Sequence, residues 1–317
     1  MNVSRVAVTI LAHNHARYIE RCLLSVVEQA GEVDLHILVG DDASDDGTSE
    51  IISAIAAAHP GLVTHVRHPS RIGGSDNYRY VLTHAKARYI AHLDGDDWWL
   101  PGKLKAQLAR IEDRPDVVAV YANAITVRED GSEIGLFNDA GDVDIDLGGL
   151  LRHGNFLNNS SMLFRSELVA AALAVEGPVL DWHVHLSHAG HGLLAHIGTP
   201  CVVYRVGSQG SALAGANDFV RELYWQAILS VSREAVGDAC FGEAVADFMR
   251  RVLVRALRTR RPSLLREWVP RVLAASPHAW PRTALAVAAS LARTGWKGLL
   301  CRQRLPDGRK VSVMYPR

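Results

Sequence analysis

Five short apolar runs, each followed by a segment of helical periodicity until the last, fill the first 121 residues and leave few folds open. Val6-Ala7-Val8-Thr9-Ile10-Leu11-Ala12 is continuous and β-branched, and Ile19, Leu23, Val26, Val27 and Ala30 then recur on one helical face before Gly31. The strand signal returns at 35–39, and Ile51, Ile52, Ile55 and Ala58 predict a helix stopped by Pro60-Gly61. Residues 63–66, 89–93 and 117–121 read as three further strands. Between them Tyr78, Val81, Leu82 and Ala85 mark one helix, and Leu104, Leu108 and Ile111 another, entered through Pro101 and left before Pro115. Continuous apolar runs are strands covered on both faces, and strands joined through helices need right-handed crossovers, so a mainly parallel α/β sheet flanked by helices is expected. Ligands of such sheets sit at the carboxyl ends of the strands, here the loops 13–16, 41–47, 71–76 and 94–99.

The pattern turns mixed from 122 to 215, with turn signals at Asp130-Gly131 and Gly148-Gly149, an Asn- and Ser-rich stretch at 155–161 and an apolar run at 201–206. Helical periodicity dominates from 217, interrupted at Pro262, Pro270, Pro277 and Pro281. The division expected is therefore a domain over 1–215, with a ligand-binding half at 1–121 and a second half at 122–215, followed by a helical region over 216–317. With 48% hydrophobic and 21% charged residues, a disordered, collagenous or coiled-coil chain is excluded.

Formal charge cancels overall but is sharply partitioned. Residues 250–317 hold 16 Lys and Arg against 2 Asp and Glu, leaving the rest of the chain with 18 against 32. A polycationic region on an acidic body points to phosphates or anionic lipid headgroups as partners, although basic faces are also simply solvated. Trp268, Trp280 and Trp296 in the same region favour a membrane headgroup layer, and the alternative is a bundle pairing its arginines with the body or forming a homodimer. Cys22, Cys201, Cys240 and Cys301 are at least 39 residues apart, without the spacing of a zinc or redox motif. No apolar stretch approaches a membrane span and no signal-peptide pattern opens the chain, so the expected location is the cytoplasm, peripheral at the inner face of the membrane.

The sharpest chemical feature is His92-Leu93-Asp94-Gly95-Asp96-Asp97-Trp98-Trp99, three carboxylates directly after a strand. Like charges this close repel unless a cation neutralises them, and Mg²⁺ or Mn²⁺ on such a cluster can bridge diphosphate oxygens; the other reading is an acidic turn capping the next helix. A second acidic loop, Asp41-Asp42-Ala43-Ser44-Asp45-Asp46-Gly47-Thr48, could accept hydrogen bonds from a base or ribose, or could be an Asx-rich turn opening a helix.

With Thr9-Ile10-Leu11-Ala12-His13-Asn14, these loops resemble the family-two glycosyltransferases over residues 5 to about 211. That family shows an apolar first strand, Asp-Asp-Gly-Ser-x-Asp-Gly-Thr, then Asp-x-Asp-Asp, and all three elements are present in order. Ala43 stands for the usual Gly, His13 for a frequent Tyr, and the family's Asn-x-Gly survives only as Arg71-Ile72-Gly73-Gly74 followed by Asn77. The resemblance implies a GT-A-type nucleotide-binding sheet. Thr9, Ala12 and Asp41 would lie around the nucleobase, Gly73 near the nucleoside or diphosphate, and Asp94 and Asp96 at ribose and metal, with Asp97 at the same metal. Leu180-Asp181-Trp182-His183 is similar to the helix start whose Asp is the family's catalytic base, with Leu180 in place of a frequent Glu. An inverting transfer needs one such carboxylate opposite the leaving diphosphate. Tyr204-Arg205-Val206-Gly207-Ser208-Gln209-Gly210-Ser211 is similar to a segment facing donor phosphates or acceptor, where Arg205 could equally be structural.

The histidines at 183, 185, 188 and 191 invite a zinc reading, but their drift around a helix favours core packing or acceptor contacts. The combined expectation is a metal-dependent (Mn²⁺ or Mg²⁺) inverting glycosyltransferase. Its donor would be a nucleotide sugar, UDP-linked by family frequency, and its acceptor a glycan or lipid-linked glycan. A nucleotidyltransferase of the same fold would need a Gly-rich basic first loop, which His13-Asn14-His15 is not. A nucleic-acid-binding protein would need a basic body, so no nucleic-acid partner is expected.

Overall fold

The computed structural model describes residues 4–207, 217–300, 303–304 and 310–315. Its first half follows the alternation of the sequence: β1 (Val6–Ala12), α1 (Ile19–Val27), β2 (Leu35–Asp41), α2 (Thr48–Ala58), β3 (Val63–Arg67), α3 (Gly74–His84), β4 (Tyr89–Asp94), the short β5 (Trp98–Trp99) and α4 (Lys103–Ile111). Strand β1 pairs in parallel with β2 on one side and β4 on the other, and β2 with β3, so the ends of β1, β2 and β4 open on one edge.

The second half breaks the parallel rule. After β6 (Val117–Val127) come β7 (Glu133–Asn138), β8 (Val143–Ile145), α5 (Leu147–His153), β9 (Leu163–Arg165), α6 (Val169–Leu173), α7 (Asp181–Ala189) and β10 (Leu193–Arg205). Strand β9 slots antiparallel between β4 and β6, while β10 runs parallel along β6. The backbone just before β9 is thereby brought against β4: His92 N donates to Met162 O at 3.0 Å.

The C-terminal region forms α8 (Asn217–Leu229), α9 (Arg233–Thr259), α10 (Ser263–Ala275), α11 (Trp280–Leu300), β11 (Gln303–Arg304) and β12 (Lys310–Tyr315). Strand β12 was not legible in the helical periodicity of this region; it pairs in parallel with β7 at the sheet edge. One face of the sheet buries α1, α2 and α4 through Ile19, Leu23, Ile52, Leu104 and Leu108. The other face buries α3, α5 and α7 together with Trp225, Phe248 and Trp268 of the C-terminal helices, in one continuous cluster. Phe248 joins the two tryptophans, with ring centroids 4.8 Å from Trp225 and 5.0 Å from Trp268.

Trp268 is only 1% exposed, so it cannot serve as the headgroup-seeking side chain expected of it: its apolar area is spent on the core. Trp280 is 69% exposed, and the Trp296 side chain lies outside the described residues. Among the described residues no helix is long and apolar enough to cross a membrane. Several basic residues of the region pair locally, Arg250 and Arg251 with Asp247, Arg261 with Asp218 and Arg271 with Glu222.

Candidate active site

The loop after β1 is zipped to the loop after β2. Asn14 N donates to Ser44 Oγ, Asp45 N to Asn14 Oδ1, His15 N to Thr48 Oγ1 and Ala16 N to Asp46 Oδ2, all within 3.0 Å. Ala12 O receives Asp42 N at 2.9 Å, and the His13 ring nitrogen Nδ1 sits 2.8 Å from Asp42 O.

Asp41 is fully buried and braces this pair of loops. It accepts from Ser44 N at 3.0 Å and from Ser49 Oγ, with His65 Nε2 at 3.5 Å and Arg67 Nε at 3.9 Å. Burial opposes its ionisation, but His65 and the Ser44 and Ser49 donors outweigh that and hold the carboxyl below the usual carboxylate range. Asp42, also buried, accepts from Ile72 N at 2.6 Å and Gly73 N at 2.9 Å, pinning the third strand-end loop. Gly73 enters α3 at a φ of +90°, where a side chain would be strained. Thr9 points into the sheet instead of the loops, its hydroxyl 3.2 Å from Ala91 O and 3.1 Å from His92 Nδ1.

In the turn after β4, the second residue must be glycine: a Cβ on Gly95 would lie 2.6 Å from Leu11 O and 2.7 Å from His15 Nδ1. The three carboxylates then part company. Asp94, its side chain 37% exposed, meets His92 Nε2 at 3.3 Å and Ser160 Oγ at 3.3 Å. Burial works against its charge, yet His92, His15 and Ser160 together keep its pKa below normal. Asp97 is 1% exposed and accepts from Ser160 Oγ at 2.5 Å and Arg205 N at 2.7 Å. Burial, followed by the charges of Asp96 and Asp94, pushes its pKa well up. Asp97, expected at the metal, thus has both oxygens engaged in tying the turn to the end of β10. Asp96 is half-buried, and its carbonyl receives Arg205 Nε at 3.2 Å.

Arg205 is buried rather than splayed toward a ligand. Its Nη1 donates to Arg128 O and Glu129 O, and its guanidinium lies 4.1 Å from the Tyr18 ring centre. Of the segment it belongs to, 208–211 lies outside the described residues.

Asp181 opens α7, accepting from Asn155 Nδ2 at 2.9 Å and from its neighbour Trp182 N at 2.7 Å. Burial, with a further contribution from the Asp94 charge, raises its pKa above the usual value. The two carboxylates are thus within electrostatic reach of each other. Around them lies a set of buried polar atoms with no hydrogen-bond partner among the described residues: Tyr78 OH, Tyr121 OH, Asn155 Oδ1, both amide atoms of Asn158 and Trp182 Nε1. Asp94 and Asp181 both act on the Tyr78 phenol, and Asp181 on Tyr121. Sequence reading missed the two tyrosines, whose places on α3 and β6 read as ordinary core positions. His185 and His188 are fully buried against Tyr121 and Phe164, and burial lowers the pKa of both, that of His188 to about 3.

Residues 7–136 match the model of glycosyl transferase family 2. That segment belongs to the family. An uncharacterized protein of Mycobacterium tuberculosis is 27% identical over 225 residues, covering 70% of this chain and 64% of its own length. The chain therefore spans less than two thirds of that curated relative. The crystal structure of S. aureus TarS in complex with UDP-GlcNAc matches with a TM-score of 0.67 at 14% identity, covering 89% of this chain and 84% of that one. Mannosyltransferase PcManGT from Pyrobaculum calidifontis, solved with GDP-Man and Mn²⁺, matches at 0.51 and 21% identity, covering 96% and 89%. At these identities the likeness establishes the fold, which is GT-A, with its C-terminal helical region attached. Asp94 of the acidic turn and Asp181 at the start of α7 thus lie within electrostatic reach of each other on a GT-A sheet.

Proposed function

We propose that the chain transfers a sugar from a nucleoside-diphosphate sugar, UDP-linked by family frequency, to a hydroxyl of a glycan or lipid-linked glycan, with inversion at the anomeric carbon. The observation that carries this reading is Asp181, held by Asn155 within electrostatic reach of Asp94 and with a raised pKa. A carboxylate with a raised pKa is the stronger base, so Asp181 is suited to take the acceptor proton as the new C–O bond forms and the bond to diphosphate breaks. The diphosphate would leave on the side of Asp94 and Asp96.

The residues fit a cation that arrives with the donor. Among the described residues no three His, Cys, Asp or Glu side chains form a ready-made metal site. Mg²⁺ and Mn²⁺ commonly sit on one or two carboxylates plus phosphate oxygens, and Asp96 with Asp94 can supply that number once Asp97 is spent on Ser160 and Arg205. Such an ion would offset the charge of the leaving diphosphate. Ala12 and Gly73 would lie beside the base and diphosphate, with Ala12 O and Gly73 N bonded to Asp42 and Gly73 O to Asn77 N. In this reading Thr9, Asp41 and Arg205 shape those loops from behind, each having its polar groups engaged inside.

A peripheral position on the cytoplasmic face of a membrane belongs to the same proposal. It is supported by the basic excess after residue 249 and by Trp280 and Leu285 on α11, exposed at 69% and 70%. Co-sedimentation with anionic but not neutral vesicles, lost at high salt, is the expected result; equal behaviour on both would leave the region as a structural or oligomerising element.

The test of donor and cation is a thermal-shift panel of nucleoside diphosphates with and without Mn²⁺. One base should raise the melting temperature, and only with the metal; at a hundred times Kd the stabilisation is about 2.7 kcal/mol. No shift with any base would remove the donor reading.

A further inference from the structure

Helix α9 carries a guanidinium whose two terminal nitrogens have no hydrogen-bond partner among the described residues. Arg251 donates through Nε to Asp247 Oδ2 at 2.8 Å, while Asp247 also receives Arg250 Nε and Ser290 Oγ, both at 2.9 Å. Two arginines on one carboxylate leave a net positive charge, and the Arg251 side chain is 49% exposed.

Its direction follows from Gly154. That residue has a φ of +74°, and a Cβ there would lie 2.8 Å from Arg251 Nη2, so the guanidinium rests on the glycine backbone. The next residue, Asn155, is the one that holds Asp181, and its Oδ1 is buried without a partner. Tyr224, its ring 5.3 Å from Trp182, and Tyr315 at the end of β12 complete these surroundings. Burial raises the pKa of both phenols; the Asp181 charge raises them further and the Arg251 charge lowers them, so both charges reach both tyrosines. A cation whose terminal nitrogens have no hydrogen-bond partner among the described residues therefore lies against Gly154, next in sequence to the residue that holds Asp181, supplied by the C-terminal region rather than by the nucleotide-binding half.

We propose that Arg251 binds a phosphate carried by the acceptor, next to the hydroxyl presented to Asp181. A planar guanidinium anchored at Nε presents its Nη groups as a fork to phosphate oxygens. Arg251 is then a specificity-determining residue that favours phosphate-bearing acceptors over neutral sugars. The phosphate could belong to a soluble polyol phosphate or to a lipid phosphate, and the chemistry at Arg251 is the same. The proposal rests on Asp181 being the transfer base.

The experiment uses the full chain with nucleoside diphosphate and Mn²⁺ at saturation, titrated calorimetrically with glycerol, glycerol 3-phosphate and monomeric short-chain phosphatidic acid. Saturable binding of the phosphates but not glycerol is expected, weakened roughly 10- to 100-fold by Arg251→Gln, the range for a lost charge-assisted pair. Arg251→Lys should recover part of the loss, and nucleoside diphosphate affinity should be the same in all three proteins. The tighter of the two phosphates identifies the source. Absence of saturable phosphate binding in the unmodified chain, or equal binding by a folded Arg251→Gln protein, overturns the proposal. If no nucleoside diphosphate binds, the transfer reading fails separately, and the phosphate titration still decides whether Arg251 is an anion site.

Discussion

The loops after β1 and β2 and the surroundings of Asp181 treat their polar groups differently. In the loops, Asp41, Asp42, Ser44 and Asn14 are bonded to one another and to backbone, with His15 Nδ1 a buried atom lacking a partner among the described residues, so the loops are braced before any ligand arrives. Around Asp181, polar atoms of Tyr78, Tyr121, Asn155, Asn158 and Trp182 are buried with no partner among the described residues. Leaving such atoms unpaired costs ~1–3 kcal/mol each, a cost tolerated where a ligand or ordered water makes the missing bonds. In the proposed reading the difference separates framework from reaction site: the acidic loop 41–48 is largely scaffold, and the groups assigned to the reaction lie where hydrogen bonding is incomplete.

The largest effect that would sharpen this contrast is at Asp181. Asp181→Asn should cut transfer, or slow donor hydrolysis with water as acceptor, by ~10²-fold or more while leaving donor affinity nearly unchanged. Because the Asp181 pKa is raised, the acid limb of the kcat/KM profile should lie above the usual aspartate range and should vanish in the variant. Parallel losses of affinity and turnover would make Asp181 a framework residue like Asp41.

At Asp41 the order of effects should reverse. Asp41→Asn removes a buried, multiply bonded carboxylate and should cost ~2–3 kcal/mol of stability, read from urea melts at neutral pH. The folded-state pKa is depressed, so the stabilisation is complete above the unfolded value of about 3.8 and is lost as pH falls through the folded value. The melts of variant and parent should accordingly converge in strong acid. A stable Asp41→Asn protein that has lost nucleotide affinity would instead place Asp41 at the base.

The smallest stability change belongs to the tyrosines. Tyr78→Phe and Tyr121→Phe delete hydroxyls that have no partner among the described residues, so melting should shift by no more than ~0.5 kcal/mol, in either direction, while transfer falls. A clear destabilisation without loss of transfer would show those hydroxyls to be bonded within the fold.

The periodic elements were readable because packing demands them: β1, β2 and β4 obey a single pattern of near-continuous burial. The antiparallel insertion of β9 and the edge strand β12 were not, since a three-residue strand has no period and pairing partners are chosen by the folded sheet. Asp94, Asp96 and Asp181 stood out as carboxylates in a motif. The division of labour among Asp94, Asp96 and Asp97 did not, because it depends on Ser160 and Arg205 arriving from 63 and 108 residues away. Arg251 was hidden within a basic region whose charge gave no hint of which arginine lies against Gly154.

The central claim is single displacement at the anomeric carbon with Asp181 as base. It is tested most directly by following donor hydrolysis in real time by proton NMR and recording the first sugar anomer released, before mutarotation. Release of the anomer opposite to the donor's is predicted, and its initial rate should collapse in Asp181→Asn. Release of the donor's own anomer would contradict the account.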